Sequence, residues 1–344
     1  MPARTIPAPP RDIPLEDKVR FLRQRDAYPE HPVRIEAVET HMSWVFLLDG
    51  HAYKLKKPVR YDFLDFSTLD ARRHDSEEEV RLNRRLAPDV YLGTIPLTAG
   101  LDGHLHLGGN GEAVDWLVRM RRLPTERMLD RAIQSHTVGE DDVRRIAAAL
   151  ARFYLDAPPI ELAPEEYRRQ LAARVDDNLR ELTNPAFALP TVTIQRITAA
   201  QKELVQHEPE LFDDRVQGKR IVEAHGDLRP EHVCLEPQPV FIDCLEFRRD
   251  YRIQDTAEEL AFLALECERL GGAWVGEMLF QAYSEITRDR PPAKLIRFYK
   301  SYRACLRAKI AIWHLKDHEV LDQEKWSSLA KEYLRLAESY AEGL

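Results

Sequence analysis

Apolar residues change their spacing along this chain, and the change divides it in two. Leu15, Val19 and Leu22 recur at helical spacing and predict a short helix. Val33, Ile35 and Ala37 then alternate with polar residues, as on a half-buried strand. A second strand, Trp44 to Leu48, runs into Asp49-Gly50, a strong hairpin signal, and returns as Ala52 to Val59. Pro58 near its end marks this returning strand as an edge. A helix from about Leu69 to Leu86 follows, then strand-like Val90-Tyr91-Leu92 and Ala113 to Met120. Beyond Leu123-Pro124 long amphipathic helices take over, at roughly 125–135, 139–156, 163–183 and 191–216. A short β island at about 221–243 interrupts them, and helices resume at 254–270, 273–288, 293–315 and 322–341. The expected layout is a small β-rich lobe over 15–122 and a larger helical lobe over 123–344 with a β-hairpin inset. The cleft between two such lobes is the default place for a ligand.

Composition narrows the class. The chain has 344 residues, 44% hydrophobic and 31% charged, enough for a sizeable core. Residues 1–14, MPARTIPAPPRDIP, are proline-rich without an apolar run, and are expected to be a flexible lead-in and not a secretory signal. No apolar stretch approaches the roughly 18 residues of a membrane helix, so no membrane association is expected. A formal net charge of -8 argues against nucleic acid as a partner. Cys234, Cys244, Cys267 and Cys305 form no CxxC pair and suit a reducing cytoplasm.

The chemistry concentrates in Ala224-His225-Gly226-Asp227-Leu228-Arg229-Pro230-Glu231-His232, followed by Phe241-Ile242-Asp243. Asp227 leaves one strand and Asp243 ends the next, so two carboxylates are expected to reach one point. Phosphoryl transfer uses such a pair: one carboxylate accepts the proton of the acceptor hydroxyl, the other holds the metal that bridges the phosphates.

His225-Gly226-Asp227 followed by Asp243 resembles the HGD…D pattern of aminoglycoside phosphotransferases and related small-molecule kinases. The loop as a whole, HGDLRPEH, also looks like the protein-kinase catalytic loop HRDLKPEN. Ser43 to Leu92 and Asp255 to Leu265 resemble a bacterial subgroup of that family whose acceptors are unassigned. The resemblance implies an α+β, bilobal protein-kinase-like fold with a small β-rich N-lobe and a large helical C-lobe. It implies ATP as phosphoryl donor, with GTP as the alternative, Mg²⁺ or Mn²⁺ as the metal, and a small-molecule hydroxyl as acceptor. Position by position, Asp227 resembles the catalytic base and Asp243 the metal ligand. Arg229 stands where the catalytic-loop lysine contacts the transferred phosphate, and His225 resembles the loop's structural histidine. His232 departs from the pattern, which has asparagine there as a second metal ligand. Imidazole suits a hard cation poorly. Three readings stay open: His232 binds a softer metal such as manganese, it hydrogen-bonds Asp227 or a phosphate while one magnesium suffices, or the chain binds nucleotide with little transfer.

On the nucleotide side, Ala52-Tyr53-Lys54 resembles the Ala-x-Lys of the kinase third strand. Period-two alternation puts Ala52, Lys54 and Lys56 on one face. The resemblance implies that Ala52 covers adenine and that Lys54, with Lys56 as fallback, meets the α- and β-phosphates. Glu79 is the expected partner of that lysine: it shares a helix face with Leu82 and Leu86, unlike Glu77 and Glu78. Leu117-Val118-Arg119-Met120-Arg121 resembles the adenine-pairing hinge, with Met120 at its centre. Glu39 to Ser43 contains no glycine, so the glycine-rich phosphate loop is missing.

On the acceptor side, Asp255-Thr256-Ala257-Glu258 reads as a helix start, with Asp255 organising the helix and the loop. Glu246 is a further carboxylate candidate near the metal. Lys300, Arg303 and Arg307 form a stripe that either faces an anionic acceptor or pairs with other helices. Three functions stay in view: a kinase of a small-molecule hydroxyl, a nucleotide-binding regulator with little activity, and a kinase of protein side chains. The missing glycine-rich loop counts against the last.

Overall fold

Leu15–Leu22 forms helix α1 and turns Val19 and Leu22 inward. This computed structural model describes residues 13–61, 64–100, 103–316 and 323–344. Most of the expected lead-in, 1–14, therefore lies outside the described residues. Strands β1 (Glu36–Glu39), β2 (Ser43–Leu47) and β3 (His51–Lys56) follow, with the β2–β3 turn at Asp49-Gly50. The short strands β4 (Arg60–Tyr61) and β5 (Leu64–Asp65) pair with each other. Helix α2 (Leu69–Asn83) starts at Thr68, whose hydroxyl accepts from the Ala71 amide at 3.1 Å. β6 (Tyr91–Ala99), β7 (Leu105–Leu107) and β8 (Glu112–Arg121) complete an antiparallel sheet ordered β1-β2-β3-β8-β6-β7.

Two expectations are corrected here. β3 is not an edge, because β8 pairs along its second side, from His51↔Arg121 to Leu55↔Leu117. Pro58 lies past the last strand residue, Lys56, and removes no ladder donor. β6 is also far longer than Val90–Leu92, since pairing with β8 carries it to Ala99.

The sheet buries different chemistry on its two faces. Tyr53 and Leu55 of β3 join Phe46, Leu97, Leu117 and the α1 residues in one core cluster. Val118 of β8 joins Val80, Val90 and Tyr91 in another, against which Met120, Val240 and Ile242 pack. Through those last contacts the segment Val240–Arg249 belongs with Met1–Arg127 in one compact unit. Asp115 of β8, fully buried, ties both helices to the sheet: Lys18 reaches it at 2.8 Å and Arg72 at 2.8 Å.

The second unit is Met128–Pro239 with Asp250–Leu344. It contains α3 (Leu129–Gln134), α4 (Glu140–Asp156), α5 (Pro164–Leu182), α6 (Thr191–His207) and α7 (Glu210–Gln217). The helix expected over 191–216 is two, broken at Glu208-Pro209, where proline cannot donate to the helix before it. After α7 the strand Ile221–Glu223 pairs antiparallel with Ile253–Asp255, a partner the expected β island of 221–243 did not include. The unit continues with α8 (Thr256–Arg269), α9 (Ala273–Thr287), α10 (Ala293–Trp313) and α11 (Gln323–Ala341). α8 is buried on every side from Thr256 to Cys267, as suits a helix at the centre of a bundle. Among the described residues no helix is long and apolar enough to cross a membrane.

The N-terminus of α8 is fixed as the sequence suggests. The Asp255 carboxylate accepts from the Ala257 amide at 2.9 Å, from Arg215 at 2.8 and 2.9 Å, and from the Tyr299 hydroxyl at 2.8 Å. Arg215 also grips Asp289 at 2.5 Å. Burial pushes the Asp289 carboxyl up, but the hydrogen bonds and charge of Arg215 outweigh it and hold the group below the usual range. A depressed carboxylate stabilises the fold above its unfolded pKa and loses that contribution as pH falls through the folded one. Asp289→Asn is therefore expected to cost about 2 kcal/mol at neutral pH. In urea titrations the gap between wild type and variant should shrink below about pH 4; a gap independent of pH would contradict the pairing.

Candidate functional site

In the first unit, two lysines of β3 converge on α2. Lys54 Nζ lies 3.0 Å from Glu79 Oε1 and 2.9 Å from Asp243 Oδ1. Lys56 Nζ lies 2.7 Å from each of Glu79, Asp75 and Glu246. Glu79 is thus shared, one oxygen to each lysine, and is wholly buried. Burial pulls the Lys54 ammonium down, but the charges of Asp243, Glu79 and Glu246 outweigh it and hold it well above its ordinary value. Burial acts on Lys56 in the same way, and the charges of Glu246 and Glu79 again outweigh it and raise the group. Two ammoniums face four carboxylates here, a formal excess of two negative charges.

Ala52 is also buried and stands opposite Met120 in the β3–β8 register, so the two residues expected at the adenine are cross-strand neighbours. Asp243 occupies the left-handed region at φ 60, a conformation that costs energy outside glycine and often marks a functional position. Two residues that sequence reasoning passed over hold it there. The Asp243 amide donates to the Tyr91 hydroxyl at 3.0 Å, and the next amide, Cys244, donates to Asn83 at 2.8 Å. Asn83 lies one helical turn beyond Glu79, the one signal that could have found it. Glu246, considered as a metal neighbour, pairs with Lys56.

The second unit carries the loop His225–His232, so Asp227 and Asp243 fall in different units. Gly226, at φ 93, makes the loop's turn. The loop's backbone hangs on Glu259 of α8, which accepts from the Gly226 amide at 2.7 Å and the His225 amide at 3.2 Å. Tyr154 and Gln254 donate to the same carboxylate at 2.8 and 2.6 Å. Burial raises the Glu259 carboxyl, against the hydrogen bonds from Gly226, Tyr154 and His225. Sequence reasoning missed Glu259, since a helix buried all round offers no polar face to read.

Within the loop, Arg229 Nε donates to Asp227 Oδ2 at 3.1 Å, and its two Nη atoms reach Glu231 and His232. His232 Nδ1 lies 2.8 Å from the Asp227 carbonyl oxygen, and Nε2 lies 3.0 Å from Arg229. Both ring nitrogens are thus engaged by the loop. That donor set does not fit a metal. The Asp243 carboxylate, a hard oxygen donor 46% exposed, does fit magnesium. Among the described residues no cluster of three or more His, Cys, Asp or Glu forms a complete metal site.

Lys300 and Arg303 of the basic stripe pair with α8, Lys300 with Glu268 at 3.0 Å and Arg303 with Glu258 at 2.6 Å. Arg307 lies 3.5 Å from Glu266.

The model of the phosphotransferase enzyme family matches residues 63–296. The uncharacterized protein Rv2004c of Mycobacterium tuberculosis (strain ATCC 25618 / H37Rv) is 33% identical over 287 residues, covering 81% of this chain and 56% of Rv2004c. Mb2027c of Mycobacterium bovis matches to the same extent. This chain therefore spans about half the length of these curated relatives. Among solved structures, choline kinase LicA from Streptococcus pneumoniae aligns with a TM-score of 0.53 at 15% identity, over 88% of this chain and 94% of that one. A choline/ethanolamine kinase family protein from Mesorhizobium loti aligns at 0.52 and 15%, over 94% and 99%. At these identities the likeness is one of fold.

The Glu259 contacts generate a test. Glu259→Ala strands two buried amides and is expected to cost about 2–3 kcal/mol. Hydrogen exchange at 225–227 should quicken, while Glu259→Gln, which keeps one acceptor oxygen, should restore most of the protection. Equal exchange in wild type and the alanine variant would show that the loop is held by other means.

Proposed function

Because this chain belongs to the phosphotransferase enzyme family, we propose that it transfers the terminal phosphoryl group of ATP to a hydroxyl of a small molecule. The observation that carries the reading is Lys54, an ammonium held between Glu79 and Asp243. Such a lysine is aimed, charged and largely shielded, as phosphate binding requires. We assign nucleotide binding to the first unit and the acceptor to the helical second unit.

In this reading Lys54 binds the α- and β-phosphates, Glu79 orients it, and Ala52 and Met120 flank the adenine. Magnesium held by Asp243 would neutralise phosphate charge when bound. The acceptor oxygen attacks the γ-phosphorus in line as its proton passes to Asp227. The bond from that phosphorus to the β–γ bridging oxygen breaks, and ADP leaves with that oxygen. Arg229, bonded to the Asp227 carboxylate, orients it and adds positive charge beside the transferred group. His232 acts on loop shape, through the Asp227 carbonyl. Four free, buried cysteines support a reducing, cytoplasmic setting.

The engaged ring of His232 also favours a second reading, a nucleotide-binding protein with little transfer activity. The two separate cleanly. Asp227→Ala is expected to lower acceptor-dependent ADP release by about 100-fold or more while calorimetric affinity for AMP-PNP stays near wild type. Undiminished release in that variant would refute the role of Asp227. AMP-PNP binding by wild type without release across a broad acceptor panel would favour the second reading. Lys54→Ala should weaken AMP-PNP binding, and unaltered affinity would count against the lysine.

A further inference from the structure

We propose that the acceptor carries an anionic group, phosphate or carboxylate, and that Arg307 of α10 binds it. This inference rests on the phosphotransferase reading and names the substrate class for it.

The three cations of the α10 stripe are in different states. Lys300 is consumed by Glu268 and by the Tyr340 hydroxyl at 2.9 Å. Arg303 meets Glu258 and Gln254, both through Nη2, and is buried, its Nε without a partner among the described residues. Among the described residues Arg307 makes polar contacts only through Nε, at 3.4 Å from the Tyr333 hydroxyl and 3.5 Å from Glu266. Both distances lie beyond those of strong hydrogen bonds. Glu266 is already satisfied, by Tyr333 at 2.8 Å and Arg269 at 3.1 Å. Neither Nη of Arg307 donates to a described residue, and its side chain is 16% exposed. The guanidinium lies over the Tyr333 ring, 5.6 Å from its centre. A planar fork of donors is therefore open at a largely enclosed position.

The location of this fork gives it meaning. α8, which carries Glu266, packs against the turn Pro230–His232 of the loop. The charges that act on Arg307 come from Arg229, Tyr333, Glu266 and Asp227. Arg229 has all three of its nitrogens committed, to Asp227, Glu231 and His232. Burial and the Arg229 charge pull the Arg307 group down, Tyr333, Glu266 and Asp227 outweigh them and hold it as a cation, and both of its Nη atoms are left without a donor contact among the described residues. Two like charges in a half-buried place repel, and an anion on the open fork relieves the repulsion. A cationic acceptor such as a quaternary ammonium would meet the same charge as repulsion.

The test uses inorganic phosphate as probe, titrated into the full chain saturated with AMP-PNP. Wild type is expected to bind phosphate, and Arg307→Gln to bind it about tenfold more weakly or worse. Arg307→Lys should recover part of the affinity. Lys300→Gln should bind as wild type. The inference is overturned if wild type binds no phosphate or if Arg307→Gln binds it equally well. It is also overturned if that variant loses AMP-PNP affinity and keeps phosphate affinity, which would mean that Arg307 reads the donor's own phosphoryl group. A wild-type chain that does not bind AMP-PNP sinks the phosphotransferase reading separately, and the phosphate titration without nucleotide still decides Arg307.

Discussion

A lysine on the inner face of a sheet must find carboxylates, and the first unit is arranged around that requirement. Lys56 is fully buried in a central strand and Lys54 nearly so. An unpaired ammonium at either place would be costly enough to lose its proton. Glu79 answers both, and Asp75, Asp243 and Glu246 complete the set. Because Asp243 and Glu246 come from the segment Val240–Arg249, the ion pairs join the apolar contacts of Val240 and Ile242 in binding that segment to the sheet.

The second unit solves a related problem with the opposite charge. α8 carries Glu258, Glu259 and Glu266, all fully buried. Glu259 commits its carboxylate to backbone amides of the loop, while Glu258 and Glu266 meet cations of α10 and α8. A buried carboxylate with several donors around it holds a loop more rigidly than a water-exposed one, because the alternative partners are absent. The geometry around Asp227 is therefore set by a helix that takes no direct part in the proposed chemistry.

The fold is shared with kinases of choline and ethanolamine, but a shared fold leaves the acceptor undetermined. In the proposed reading the acceptor is selected by side chains such as Arg307, which the backbone path alone does not specify.

Much of this was legible in the chain itself. Period-two spacing put Ala52, Lys54 and Lys56 on one face, and helical spacing put Glu79 with Leu82, because covalent geometry sets both periods. Asp255 reads as a helix cap, since capping is a contact between near neighbours. Only the tertiary structure decided that β3 is central, that Lys56 is the deeper lysine, and that Glu259 and not its neighbour Glu258 holds the loop. Those outcomes depend on partners far away in sequence, such as β8 for β3 and Glu246 for Lys56. Local periodicity carries no information about which distant segment will arrive.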